Sequence, residues 1–216
     1  DIQTRLLGSV TDVHFPSIDP TITLAGWWVT HPQSSKVAIL VHGHNDSKAD
    51  YRVVAAANIF FQLGYNVLLF DIQNHGLSTR IYNQTSLGSR EYKDVVAAKN
   101  YVKQLGFEPT KIVYWGLSFG GSLCAIAAQF DATIQTVIMD SSFSSVDAIM
   151  QEEFQLNSVP RFFLPGALAV ARYVFQNPIG RLTPFHIHRT TIQRLLLLHS
   201  ETDQRVGVQH SKMLYQ

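Results

Sequence analysis

Residues 111–122 read KIVYWGLSFGGS, and in them a serine, Ser118, stands between Gly116 and the pair Gly120 and Gly121. The apolar β-formers Ile112, Val113, Tyr114 and Trp115 precede the glycines, and an alanine-rich helical pattern follows them. Strand, tight turn and helix in that order give G-x-S-x-G the context of a nucleophile elbow. In such a turn the glycines let two backbone segments cross closely. The serine takes an unfavourable dihedral, and its oxygen is pushed out above the strand's end. The chemistry this suits is attack on an acyl carbon. An alcohol attacks only if a base removes its proton, and the resulting oxyanion needs N–H donors already in place. A plain glycine-rich turn would show the same letters, so the flanking strand and helix carry the reading.

Other polar residues follow other apolar runs. His42 follows 37–41, Asp71 follows 66–70, Asp140 follows 136–139, and Asp203 lies just beyond 195–198. These runs have strand length and helical patterns separate them, which predicts a mostly parallel sheet with helices on both faces. In such sheets ligands bind outside the carboxyl ends of the strands, so His42, Asp71, Ser118, Asp140 and Asp203 should converge on one edge.

The positioning elements can be read in chain order. Residues 10–15 and 22–30 read as strands separated by Pro16-Ser17-Ile18-Asp19-Pro20, an antiparallel start to the sheet. Val53, Ala57, Phe60 and Phe61 share a helical face that Gly64 ends. Tyr92, Val95, Ala98, Val102 and Leu105 mark a second helix, starting near Ser89 and closed by Gly106. The helix after the elbow is apolar all round over 123–130 and should be buried.

Length and composition narrow the function classes. The 216 residues suit one sizeable α/β domain, and 15% charged against 46% hydrophobic residues describes a core-rich globular chain. A net charge of +1, with scattered lysines and arginines, offers no footprint for nucleic acid. Cys124 is the sole cysteine, which excludes an internal disulfide and a cysteine-based metal cluster. Between Leu123 and Ala125 it reads as a small buried apolar residue. No stretch suits a membrane span; the nearest, 162–175, is short and contains Arg172. Because the chain opens at Asp1, a targeting peptide or membrane anchor upstream stays open, and so does the compartment.

One interval is too long for a simple crossover. Asp140 and Arg194 are 54 positions apart, where a helix and its loops need about 20. The surplus, about 144–190, should form a small helical cap broken by Pro160, Pro165, Pro178 and Pro184. Each of its apolar side chains could simply pack the cap onto the sheet. Together they suggest an apolar acyl or alkyl pocket with Met150, Phe154, Phe162, Phe163 and Tyr173 as candidate lining.

With these elements in place, the chain resembles the α/β-hydrolase superfamily from about Val10 onward. The resemblance rests on Leu40-Val41-His42-Gly43-His44, on Phe70-Asp71 with Asn74-His75-Gly76-Leu77-Ser78, on the elbow, and on the run from Leu196 to Val206. Gly26-Trp27-Trp28 and Asp140-Ser141-Ser142-Phe143 make it most similar to the bacterial esterase, lipase and prolyl-oligopeptidase-like groups. The resemblance implies Ser118 as nucleophile, Asp203 as acid, and the N–H groups of His44 and Phe119 as oxyanion hole. It also implies an ester-type small-molecule substrate and no cofactor, with a peptidase or thioesterase of the same fold as the alternative. Asp140 is a rival acid, read here as a structural hydrogen-bonding group. Asp71 and His75 are read as loop architecture. The pairs His42/His44 and His186/His188 have metal-compatible spacing but lack the further ligands zinc needs, so no metal is expected.

The family's histidine should follow a further helix and strand after the acid, yet 13 residues follow Asp203. His210 reads as part of the next helix, facing away from Ser118 or lying beside the sheet, and neither His199 nor His44 reads as the base. Two expectations compete. In one, the chain lacks its last strand and base and is itself nearly inactive. In the other it is a complete, hydrolase-like binding protein without catalysis.

Overall fold

All five residues of the apolar run 37–41 are buried, because the strand they form is covered on both faces. The computed structural model describes residues 2–81, 85–186 and 192–215. Within them, seven strands make one sheet: β1 (Ser9–Pro16), β2 (Thr23–Thr30), β3 (Val37–Val41), β4 (Asn66–Phe70), β5 (Ile112–Leu117), β6 (Thr136–Asp140) and β7 (Arg194–Leu198). Their spatial order is β1-β2-β4-β3-β5-β6-β7. β2 pairs antiparallel with both β1 and β4, and every other pairing is parallel. A mostly parallel α/β sheet with an antiparallel start is therefore what the chain forms.

The helices are α1 (Tyr51–Gln62), α2 (Tyr92–Gln104), α3 (Phe119–Phe130), α4 (Val146–Leu156), α5 (Leu164–Ala169), which runs on into a π turn at Val170–Val174, and α6 (Gln209–Tyr215). Alternation along β3 assigns them to faces. Val37, Ile39 and Val41 pack with Val95 and Val102 of α2 and Leu123 and Ala127 of α3. Ala38 and Leu40 pack with Val53, Val54, Ala57 and Phe60 of α1. This is the period-two pattern of a strand buried twice over.

Local chemistry sets the helix ends. The Asp50 carboxylate accepts the Arg52 N–H at 2.8 Å and caps α1, which stops before Gly64 at φ +81°. α2 starts at Tyr92 rather than near Ser89, because the buried Glu91 carboxylate holds 85–88 as a loop. It accepts the N–H groups of Ser86 and Gly88 and the hydroxyls of Thr85 and Ser86. Leu105, expected on the buried face of α2, lies past the helix's last residue and is exposed.

The α1 face is covered unevenly. α1 packs on β3 and β4, while Ile59 and Leu63 on the helix and Leu196 and Leu198 on β7 are exposed. Toward β7, then, the described residues leave this face of the sheet open, where the alternation of strands and helices predicted cover. Between β6 and β7 run α4, a 3₁₀ turn at Arg161–Phe163, α5 with its π turn, and a 3₁₀ turn at Pro184–His186.

Candidate active site

The turn between β5 and α3 is built from backbone contacts that exclude side chains. A Cβ on Gly116 would lie 2.2 Å from the Gly121 nitrogen, one on Gly120 2.1 Å from the Val41 carbonyl oxygen, and one on Gly121 2.7 Å from the Gly116 carbonyl oxygen. β3, β5 and α3 meet only because these three positions are glycine. Ser118, between them, sits at φ 51°, ψ −114°, a region that side-chain-bearing residues avoid at a cost of about 1–3 kcal/mol. The strain is held by neighbours: the Ser118 N–H donates to the Asp140 carbonyl at 2.7 Å, and its own carbonyl accepts from Gly121 and Ser122. Among the described residues its hydroxyl has no partner, and it lines the cleft at the strand ends. Phe119 is the first residue of α3, so its N–H has no acceptor within the helix.

A second loop, after β3, brings Gly43 and His44 beside the elbow. A Cβ on Gly43 would stand 3.8 Å from that of Ser118, and the His44 ring meets the edge of Phe119 with centroids 5.9 Å apart. Buried groups behind the cleft fix this loop. Asp71 accepts the Lys48 N–H at 2.7 Å, the Lys48 ammonium at 2.6 Å and the Leu77 N–H at 2.9 Å. The Lys48 ammonium also lies 5.1 Å from the Trp27 ring centroid. The Asp71 carboxylate fills the space where Gly76, at φ +48°, would carry a side chain.

The two histidines of this region are tied to backbone. His42 Nδ1 donates to the Gly43 carbonyl and its Nε2 accepts the Ile72 N–H, while burial lowers the imidazole to about 4. His75 Nδ1 donates to the Gln73 carbonyl and its Nε2 accepts the Asn45 N–H at 3.3 Å. Both bind as neutral rings that brace the His44 loop. Lys48 had no sequence signal, since a loop lysine is ordinarily exposed.

Asp203 lies on the loop after β7 and lines the cleft. Its Oδ1 accepts the N–H groups of Arg205 at 2.9 Å and Val206 at 3.0 Å, so this aspartate also makes its own turn. Its Oδ2 stands 3.8 Å from His199 Nε2. That nitrogen is committed to the Val206 carbonyl at 2.7 Å, and His199 Nδ1 to the Ser211 hydroxyl. α4 steadies the Asp203 loop, since Glu153 pairs with Arg205 at 3.3 Å and Glu152 accepts the Gly207 N–H. Asp140 lines the cleft too, but its carboxylate accepts from Ser141, and burial raises its pKa.

The remaining histidines divide clearly. His210 is buried beside the sheet, its Nδ1 accepting from the Ser144 N–H and its Nε2 facing Glu152 at 3.2 Å. Its pKa is lowered, chiefly by burial. His44 is the described histidine that lines the cleft; its ring nitrogens have no hydrogen-bond partner among the described residues, and burial, then His75, lower its pKa. His186 is exposed, and His188 lies outside the described residues. Among the described residues no group of three or more histidines, cysteines or carboxylates is placed to hold a metal.

The cleft measures ≈ 1300 Å³ and joins two regions. Before Ser118 lie Phe143, Ile149, Met150, Ala171 and Ile179; toward the open face of the sheet lie Ile59, Leu63, Trp115, Leu196 and Leu198. Of the five residues expected to line an acyl pocket, Met150 lines the cleft. Phe154 lies outside the lining, and Phe162, Phe163 and Tyr173 point to solvent. The reason is that α5 buries Leu164 and Leu168 and turns its aromatic neighbours outward. Leu87, Phe143, Ile149 and Ile179 line the cleft in their stead. Phe143 could have been found from its place just after β6.

Residues 51–216 match the model of the prolyl oligopeptidase family. The chain belongs to that family. Among curated relatives, it is 28% identical over 151 residues to the thiohydrolase aneE of Aspergillus aculeatus, a match covering 69% of this chain and 45% of that protein. The chain thus matches less than half the length of this relative. Among solved structures it is similar to the esterase Pf2001 of Pyrococcus furiosus, with TM-score 0.74 and 25% identity over 96% of this chain and 77% of the other. It also superposes on the α/β hydrolase GrgF of Penicillium with TM-score 0.73 at 18% identity, covering 96% and 85% of the two chains. This prolyl oligopeptidase family member has the α/β-hydrolase fold.

Proposed function

We propose that the protein is a serine hydrolase that cleaves an ester or thioester carrying an apolar acyl group. The observation that carries this reading is Ser118, held at φ 51° with an unpartnered hydroxyl in a cleft, next to the free first N–H of α3. Ser118 Oγ attacks the acyl carbon and passes its proton to a base. The N–H groups of Phe119 and His44 hold the oxyanion, each worth about 3 kcal/mol of barrier. The leaving group departs with the proton, and water then releases the acyl group by the same route. Asp203 Oδ2, not used in the turn that Oδ1 makes, is the acceptor for the base's other N–H. Phe143, Ile149, Met150 and Ile179 offer the acyl group an apolar wall. The names of aneE as a thiohydrolase and Pf2001 as an esterase support the substrate class.

Among the described histidines, His42, His75, His199 and His210 have both ring nitrogens engaged, and His44 has no contact with Asp203. We therefore assign the base outside the described residues. A fluorophosphonate probe should label the protein extended to its full coding length, and Ser118→Ala should abolish labelling. The 216 residues alone should turn over esters about 10⁶-fold more slowly, the loss that accompanies removal of a triad base in subtilisin. Wild-type-like turnover by the 216 residues, abolished by His44→Ala, would make His44 the base. Failure of the extended protein to cleave any ester, thioester or amide sinks the proposal. Saturable ligand binding that survives Ser118→Ala, without labelling, would identify a hydrolase-like binding protein instead.

A further inference from the structure

Residues 162–175, FFLPGALAVARYVF, hold one charged residue in fourteen. A helix apolar all round belongs in a protein interior, yet here one side is buried and the other faces solvent. Leu164 and Leu168 pack inward and Ala171 lines the cleft, while Phe162 is 75% exposed, Tyr173 83% and Val174 68%. Phe163, Val170 and Phe175 are exposed as well, and the Phe162 and Phe163 rings lie 4.1 Å apart. Scattered exposed apolar residues are ordinary on a protein surface; a run of aromatic and aliphatic side chains on one short segment marks a contact surface.

The charges around it indicate the partner. From Phe154 to Ser200 the chain has no aspartate or glutamate, but it has Arg161, Arg172, Arg181, Arg189 and Arg194. Arg161 and Arg181 are exposed and, among the described residues, have no acidic partner; Arg161 donates to the Gln155 amide oxygen and Arg172 to the Ile179 carbonyl. The whole chain carries only +1, so the positive charge is local to this segment. Exposed Phe and Tyr side chains in a stretch of chain where Arg161 and Arg181 have no acidic partner among the described residues suit a bilayer interface whose headgroups are anionic. A second copy of the chain fits less well, because a twofold contact would set this arginine-bearing face against itself. No described helix is long and apolar enough to cross a membrane.

We propose that the outer face of residues 159–175 docks onto an anionic phospholipid surface, lying in the interface without spanning it. Ala171 lines the cleft from the inner side of the same segment, and Asn177 and Ile179 line it just beyond the segment's end, so docking places one wall of the cleft on the lipid. The proposal does not depend on the catalytic reading of Ser118.

Co-sedimentation of the full chain with sucrose-loaded vesicles tests it, using phosphatidylcholine alone and phosphatidylcholine mixed with phosphatidylglycerol. Partition onto the anionic vesicles should be at least about tenfold stronger than onto the neutral ones. It should fall on raising salt from 0.1 M to 1 M, as the screening length drops from about 10 Å to about 3 Å. Phe162→Ser/Phe163→Ser/Tyr173→Ser should weaken it at least about tenfold with the circular dichroism spectrum unchanged. Arg161→Gln/Arg181→Gln, which leaves the aromatics in place, should bring anionic binding close to the neutral value. Absence of binding, equal binding to both vesicles, or partition unaffected by the aromatic triple substitution overturns the proposal. So does light scattering that shows a dimer lost in the triple variant together with no vesicle binding, which would assign the face to self-association.

Discussion

Asp71→Asn tests whether the loop bearing His44 is held by one buried ion pair. The Asp71 carboxylate is fully buried, and its three donors are the Lys48 ammonium, the Lys48 N–H and the Leu77 N–H. An asparagine keeps one acceptor oxygen but turns an NH₂ toward a donor, and it leaves the Lys48 ammonium, 4% exposed, without a counter-charge. Breaking a buried pair from one side costs about 3–5 kcal/mol, because the remaining charge is uncompensated. For a domain of this size that lowers Tm by something of order 10 °C. Urea unfolding followed by tryptophan fluorescence measures the loss, with Lys48→Met and the double variant closing a cycle. The double variant has no buried charge and should be less destabilised than the sum of the singles, by about 0.5–3 kcal/mol. A loss below about 1 kcal/mol for Asp71→Asn, or strict additivity in the cycle, would refute the reasoning. In either case the pair would not be what holds the loop.

Three further predictions concern the elbow, α5 and pH. Gly116→Ala places a methyl group 2.2 Å from the Gly121 nitrogen; it should destabilise by more than about 3 kcal/mol or fail to fold, and in folded protein abolish fluorophosphonate labelling. Gly166→Ala, where nothing lies within 4 Å of an added Cβ, should instead stabilise by about 0.5–1 kcal/mol in the same denaturation assay. Burial raises Asp94 to about 7 from 3.8, while Ser17 and the Gln73 N–H bond its carboxyl. The folded state therefore keeps a proton that the unfolded chain has released, and stability falls as pH rises from about 4 to about 7. Asp94→Asn should gain stability relative to the parent across that window, by up to about 4 kcal/mol, as read by unfolding at several pH values; a pH-independent difference would contradict it. His42, lowered to about 4, acts in the opposite sense, its contribution present above 6.5 and lost as pH falls toward 4. It is common to both proteins and cancels in the comparison.

The seven strands, α1 with its stop at Gly64, and the glycine elbow were legible because each follows from short-range constraints. Apolar runs of strand length, a 3.6-residue stripe, and glycines that no other residue could replace are visible within a dozen positions. The position of Asp203 at the cleft was legible by its place after the last apolar run. The cap's pocket was not: 162–175 is apolar on every side, so spacing could not say which side chains would face the cleft, and Phe162, Phe163 and Tyr173 face solvent. Lys48 and Glu91 were equally hidden, as a charged residue becomes structural only when a distant partner or a loop's N–H groups close around it.

The amino-acid sequence by itself therefore determined the sheet, the glycine turn around Ser118 and the order of polar residues along the strand ends, all of them consequences of local periodicity and backbone sterics. Only the tertiary structure decided which histidines are committed. His42, His75, His199 and His210 look alike as letters, but each ring is engaged by groups brought to it by the fold. A histidine is a base or a brace according to what meets its two nitrogens, and those partners lie up to 66 positions away in the chain.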